Sequence, residues 1–263
     1  MNTQRILAIV QRHIYVWPRG IERFMWSVGW PLVELLIWGL TTSYLQKNLE
    51  LKFSFTTFIL GAIIFWGITT RAQLEMSINF LEEIWTKNVI NIFSTPLTIK
   101  EFLSAALILG IIKFFFTAGL LVIVAWVFYQ LNIFDFGWVL PIFVLNLVFF
   151  GWIFGIFVMG LIIHFGRTIE EFAWSAIYFV QPFMCVFYPL SSLPSWAQYI
   201  GRIFPPTYIF EEMRNYLFNG QVVWQNLVLS FALNILYLFL ALFFLYSMFE
   251  KARITGRLTK LEG

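Results

Sequence analysis

FLSAALILGIIKFFFTAGLLVIVAWVFYQL, residues 102–131, runs for thirty residues with Lys113 as its single charge. About 20 predominantly apolar residues carry an α-helix across the ~30 Å hydrocarbon core of a bilayer. The pattern recurs outward from this stretch. Uncharged or nearly uncharged segments lie at 24–44, 53–70, 136–165, 172–190 and 222–249. An all-α polytopic membrane protein with six spanning helices is expected, the third, fourth and sixth being long enough to tilt. A lipid-embedded sheet would have to close into a barrel and would show alternating segments of about ten residues. Composition agrees: 60% of the 263 residues are hydrophobic, 21% aromatic and only 12% charged. Soluble domains sit near ~45–50% apolar and ~25% charged. A water-soluble enzyme is therefore excluded, and a net charge of +3 is small for a nucleic-acid binder.

Orientation follows from the basic residues in short loops, which concentrate on the cytoplasmic side. With the N-terminus inside, Arg5, Arg12, Arg19, Arg23, Arg71, Lys87, Lys100, Arg167, Lys251, Arg253, Arg257 and Lys260 share one side. Lys47, Lys52, Arg202 and Arg214 face the other. This places a multi-pass chain in the cell (inner) membrane with both termini cytoplasmic. The arginines interrupt any signal-peptide core, so the N-terminus is expected to be retained. Residues 1–20 carry Ile6, Ile9, Val10 and His13 at helical spacing, with Gln4, Arg5, Gln11 and Arg12 on a polar side, until Pro18 and Gly20 end the pattern. They are read as an amphipathic helix in the headgroup layer, its arginines facing anionic lipid. A plain basic flank that only sets topology is the alternative.

Chemistry is mostly missing. No GxxxxGK[ST] phosphate loop occurs, Asp135 is the only aspartate, and His13 and His164 belong to no HExxH pattern and read as interfacial packing residues. Cys185 is the lone cysteine, which excludes an internal disulfide. No catalytic or metal residue is assigned. Charges in hydrocarbon are costly, so Glu34 in the first span and Lys113 in the third are expected to pair with one another or to face a polar pathway. Gly151 and Gly155 form a GxxxG in the fourth span, which permits close helix approach and reads as ordinary intrachain packing.

Two stretches carry more information. The connection Arg71 to Glu101 is far more charged than its surroundings. Within it, 82–93 reads as a short amphipathic helix offering Glu82, Glu83, Ile84, Trp85, Lys87, Ile92 and Phe93 to a partner, or else as a simple connector. Ser94, Thr95 and Pro96 stop it, and Thr98 with Glu101 forms a capping box for the third span. The second stretch, 191–216, is too apolar for a free loop and is broken by Pro194, Pro205 and Pro206, so it reads as a re-entrant hairpin on the outer side. Glu211 and Arg214 are spaced for a local i,i+3 pair.

Together these stretches resemble the membrane subunits of ABC exporters of the ABC-2 type. The first resemblance is Glu82-Glu83-Ile84 followed by Asn91-Ile92-Phe93-Ser94-Thr95-Pro96-Leu97-Thr98-Ile99-Lys100-Glu101-Phe102. The second is Pro189-Leu190-Ser191-Ser192-Leu193-Pro194 with Thr207-Tyr208-Ile209-Phe210-Glu211-Glu212-Met213-Arg214, similar to the family's PLSxLP and NPxTYxxExxR elements. Phe204-Pro205-Pro206 stands where that family more often has Asn-Pro. The resemblance implies a permease that forms a homodimer and docks a separate ATP-binding subunit through residues 82–93. ATP and Mg would be held by that subunit, and no cofactor by this chain. It also implies a pathway along the first, second and fifth spans and an outer gate at Tyr188, Pro189, Leu190, Tyr208, Glu211 and Arg214. Lipids, lipid-linked glycans and hydrophobic drugs all suit the aromatic content as cargo. Two other classes stay open: an ion-coupled secondary transporter working through Glu34, and an intramembrane lipid-modifying enzyme built on His164, Arg167, Glu170 and Glu171.

Overall fold

The computed structural model describes residues 2–49 and 53–256; Lys52, Arg257 and Lys260 from the orientation tally lie outside the described residues. Every regular element among the described residues is helical. Among the described residues, four stretches are long and apolar enough to cross a membrane: Thr57–Trp85, Ile99–Tyr129, Ile133–Phe183 and Trp224–Ile254. The chain is an all-α membrane protein.

Helix α1 spans Thr3–Val16, with Asn2 accepting the Gln4 N–H as its N-cap. Its buried residues, Ile6, Val10 and His13, lie on the face read from their spacing. Pro18 sits in a 3-10 turn, Trp17–Arg19, and Gly20 is extended, so the chain redirects there. It re-enters the bundle through α2 (Ile21–Phe24), a π-helical turn (Met25–Gly29) and α3 (Trp30–Leu49).

Helix α4, Phe53–Trp85, has 33 residues, about 50 Å at 1.5 Å per residue. The sequence places the end of the second span at residue 70, followed by a charged connection with a short helix at 82–93; α4 instead continues unbroken to Trp85. No Gly or Pro interrupts 71–85, and Ala72, Met76, Phe80 and Ile84 recur every fourth residue on a buried face. Burial of that stripe holds the helix through its charged residues. The break comes later. Lys87 takes the left-handed conformation (φ 53°), and the Asn88 N–H closes back on the Glu83 carbonyl at 2.8 Å. A six-residue helix, α5 (Val89–Ser94), follows. The expected single helix over 82–93 is therefore two pieces: the last turn of α4, and α5.

Helix α6, Ile99–Tyr129, opens on the expected capping box. Thr98 accepts the Glu101 N–H, and the Glu101 carboxylate accepts the Thr98 N–H. Helix α7, Leu140–Phe165, ends at Gly166, whose φ of 68° releases the chain. Helix α8, Glu170–Val180, has only 11 residues, about 17 Å. The expected continuous span 172–190 is thus corrected, because Pro182 and the turns after it end the helix early. The short helices α9 (Ser195–Gly201) and α10 (Pro205–Asn219) lead into α11, Trp224–Ile254.

At the centre, α7 packs on α4 through the GxxxG. A Cβ on Gly151 would lie 2.5 Å from the Thr69 carbonyl oxygen, and one on Gly155 would lie 2.5 Å from that of Gln73. The motif serves intrachain packing. On its other side α7 meets α11, where Asn146 accepts from Ser230 (2.9 Å) and Asn234 (3.0 Å).

Candidate functional site

A cavity of about 570 Å³ opens between α3, α4 and α8. Trp30, Glu34 and Trp38 lie four residues apart on α3, so one helix face presents a carboxylate between two indoles. From α8, Glu171, Trp174 and Tyr178 line the opposite wall. Arg71 and Leu74 of α4 form the back. Arg71 is within electrostatic reach of Glu34, Glu75 and Tyr178. The rings are positioned from behind: Trp38 stacks on Phe187 at 5.9 Å, and Tyr178 meets Trp66 edge-on at 6.2 Å.

The expected Glu34–Lys113 pair does not form. Lys113 Nζ lies 2.7 Å from Glu75 Oε2, and both side chains are largely buried. The same ammonium stands 5.8 Å from the Trp17 ring centroid, which ties the elbow after α1 to α4 and α6. Glu34 belongs to the cavity instead. Arg71 and Glu75 are the two residues the sequence reading missed, because their segment looked like a loop. The cue was their own spacing, a basic and an acidic residue at i,i+4 in a run free of helix breakers.

Replacing Lys113 by Met removes the ammonium 2.7 Å from Glu75 and leaves that carboxylate only the field of Arg71, a change expected to destabilise by up to about 3 kcal/mol. Adding Glu75→Leu removes the stranded charge, so the double variant should recover most of that loss. Thermal unfolding in detergent reads the cycle; equal loss in single and double variants would show that the pair does not carry the effect.

Helix α1 is fastened to one end of the bundle. Arg12 Nη2 donates to Glu83 Oε2 at 2.8 Å, the His13 ring Nε2 lies 3.1 Å from Glu83 Oε1, and Asn88 Nδ2 donates to Glu83 at 3.0 Å. His13 Nδ1 also lies 3.7 Å from Glu82. The Asn2 N–H donates to Glu101 at 2.6 Å and Arg5 to the Pro96 carbonyl at 2.5 Å. Two expectations change. Arg5 and Arg12 turn to protein carboxylates and a carbonyl, and His13 is a buried partner of Glu83 instead of an interfacial packing residue. The expected docking set changes as well: Glu83 and Ile84 are buried, Glu82, Trp85, Ile92 and Phe93 are half-buried, and Lys87 is exposed. Ile90, Asn91, Ser94, Thr95 and Pro96 complete the open face of α5 and the turn after it. Phe93 packs on Phe102 and Phe249.

At the other end the residues expected at an outer gate come together. Glu211 Oε1 accepts the Leu190 N–H (2.8 Å) and pairs with Arg214 (2.5 Å), while Arg214 Nη1 donates to the Cys185 carbonyl at 2.8 Å. Pro189, Leu190, Tyr208, Glu211 and Arg214 line a common cleft, and Tyr188 donates to the Pro182 carbonyl nearby. Glu212, which carried no assigned role, accepts the Val223 N–H (2.7 Å) and Asn226 Nδ2 (2.5 Å), joining α10 to α11. His164, Arg167, Glu170 and Glu171 build no metal cluster; among the described residues no group of three or more His, Cys, Asp or Glu could hold an ion.

No protein-family model matches the chain, and no curated protein matches it.

Proposed function

We propose that the chain is the membrane permease of an ATP-driven exporter, working as a homodimer of six-span copies with both termini in the cytoplasm and with ATP hydrolysed by a separate subunit. The observation that carries this reading is α5: a short helix held at one end of the bundle between two long apolar helices, with Ile90 41% exposed beside Lys87 and Asn91. An apolar side chain so placed is a knob for a partner's groove. The cavity supports the same reading, since its walls, α3, α4 and α8, fall in the three spans that the ABC-2 resemblance assigns to the pathway. A polar cluster between helices marks a transport route more often than a packing accident. The α9–α10 hairpin would then form the outer gate, its Glu211–Arg214 clamp setting the closed position.

Co-purification with an ATP-binding subunit encoded beside its gene tests the proposal. A stable complex with cargo-stimulated ATP hydrolysis is expected, and Ile90→Asp should abolish the complex without lowering the permease's own melting temperature. A complex indifferent to Ile90→Asp would remove α5 as the docking element.

A second reading, ion-coupled secondary transport, draws on the Glu75–Lys113 pair and the neighbouring Arg71 and Glu34, since buried ionisable pairs serve as coupling sites in such carriers. It would be upheld by transport that continues without ATP and stops when a protonophore dissipates the gradient.

A further inference from the structure

The cavity between α3, α4 and α8 has a chemistry of its own. Both side walls combine a carboxylate with two aromatic rings: Glu34 between Trp30 and Trp38 on α3, and Glu171 one turn before Trp174 and two before Tyr178 on α8. Each of these rings is partly exposed, Trp30 by 57%, Trp38 by 41% and Tyr178 by 42%, while Phe187 stacks on Trp38. A belt of interfacial anchors does not account for them. Trp30 and Trp38 are eight residues apart on one helix, about 12 Å along its axis, whereas anchoring aromatics gather at the headgroup level.

Charge decides the kind of occupant. Of the ionisable groups on the lining, Glu34 and Glu171 are acidic and Arg71 alone is basic. Arg71 also shares its field with Glu75 behind it, while Lys113 is engaged by Glu75 at 2.7 Å. The lining therefore favours positive charge, and indole and phenol faces add cation–π attraction that strengthens where water is excluded. The remaining surface is apolar, from Val33, Ile37 and Leu74, and about 570 Å³ falls within the roughly 300–1,000 Å³ range of drug-sized ligand sites.

We propose that this cavity binds an amphiphilic organic cation, with its charged centre between Glu34 and Glu171 and its hydrocarbon against the indoles. The proposal rests on the reading of the chain as a permease and names the cargo class of that pathway. An anionic amphiphile such as a phospholipid phosphate would instead have to be held by Arg71 alone, against two carboxylates.

Two probes of nearly equal size and opposite charge separate these cases. The full chain in nanodiscs is titrated with tetraphenylphosphonium and with tetraphenylborate, following tryptophan fluorescence with empty nanodiscs subtracted. The cation is expected to bind at least tenfold more tightly than the anion. Glu34→Gln should weaken cation binding about tenfold and leave the anion unchanged, and Glu171→Gln, on the exposed rim, should act in the same direction while keeping the melting temperature. Trp38→Leu should weaken both probes. Equal affinities, preference for tetraphenylborate, or cation binding indifferent to both glutamate variants would overturn the proposal. Because the titration uses the chain without an ATP-binding subunit, its failure leaves the docking result at Ile90 intact, and failure of docking leaves the titration intact.

Discussion

Replacing Gly155 by leucine is expected to abolish the folded, detergent-extractable protein. The site has no room even for a first carbon: a Cβ would lie 2.5 Å from both the Gln73 carbonyl oxygen and the Met76 Cβ. One of those neighbours is backbone, so no rotamer change relieves the clash, and α4 and α7 must separate along their whole contact. That contact is the centre of the bundle, where Thr69 and Gln73 are fully buried and the second glycine, Gly151, approaches α4 equally closely. Overpacking a well-filled interior costs about 1–3 kcal/mol where side chains can yield; here the yielding part is a helix axis, and the loss should exceed that range. Gly155→Ala is the graded version, with reduced extraction yield and a lower melting temperature. Gly119→Ala is the control, since its Cβ would meet nothing within 4 Å. A leucine variant at 155 that extracts and melts like the parent would mean that the two helices do not touch as described.

The close approach was legible because small residues at i and i+4 in an apolar run have few other uses in a membrane helix. The long apolar runs were legible for a similar reason, as hydropathy reports directly on the solvent a helix needs. What escaped notice was the extent of α4. Arg71 and Glu75 look like loop residues when each is taken as a solvated charge, and Glu82 and Glu83 like the start of a separate helix. Their partners, Lys113, Arg12 and His13, come from segments far away in sequence, and only the fold supplies them. The short α8 escaped for the opposite reason, since residues 181–190 are apolar enough to extend a span while Pro182 removes the backbone donor that a continuing helix requires. The cavity was half visible: Glu34 stood out as a charge in hydrocarbon, but the spacing of Trp30 and Trp38 around it gains meaning only when α8 supplies the facing wall.

Glu83→Leu is expected to have the second large effect, and the contrast with its neighbour gives the test its edge. Glu83 is 1% exposed and sits between Arg12, His13 and Asn88; the Glu82 side chain is 16% exposed and lies farther from the histidine, 3.7 Å from His13 Nδ1. Removing Glu83 takes one common acceptor from Arg12, His13 and Asn88; Arg12 is 41% exposed and stays solvated, so the expected cost is that of lost hydrogen bonds to a charged group, about 1.5–3 kcal/mol. Glu82→Leu removes a longer contact, at 3.7 Å, and its loss should be the smaller of the two. Charge reversal follows the same logic: Glu83→Lys places a third cationic or donor group beside Arg12 and His13, so it should damage folding outright, while Glu82→Lys should be tolerated. Adding Arg12→Leu to Glu83→Leu should cost little more, because the bond they shared is already gone, whereas adding it to Glu82→Leu breaks the intact Arg12–Glu83 pair and should cost more. The consequence reaches beyond stability, because the same carboxylate joins α1 to the turn that launches α5. Glu83→Gln can still accept from Asn88 and Arg12, so it should fold, yet it holds α1 more weakly. With the ATP-binding subunit present, this variant should hydrolyse ATP at a near-parental rate while cargo stimulation falls. Melting temperatures of the two leucine variants settle the structural half: if Glu82→Leu and Glu83→Leu lose the same amount, α1 is not latched through Glu83.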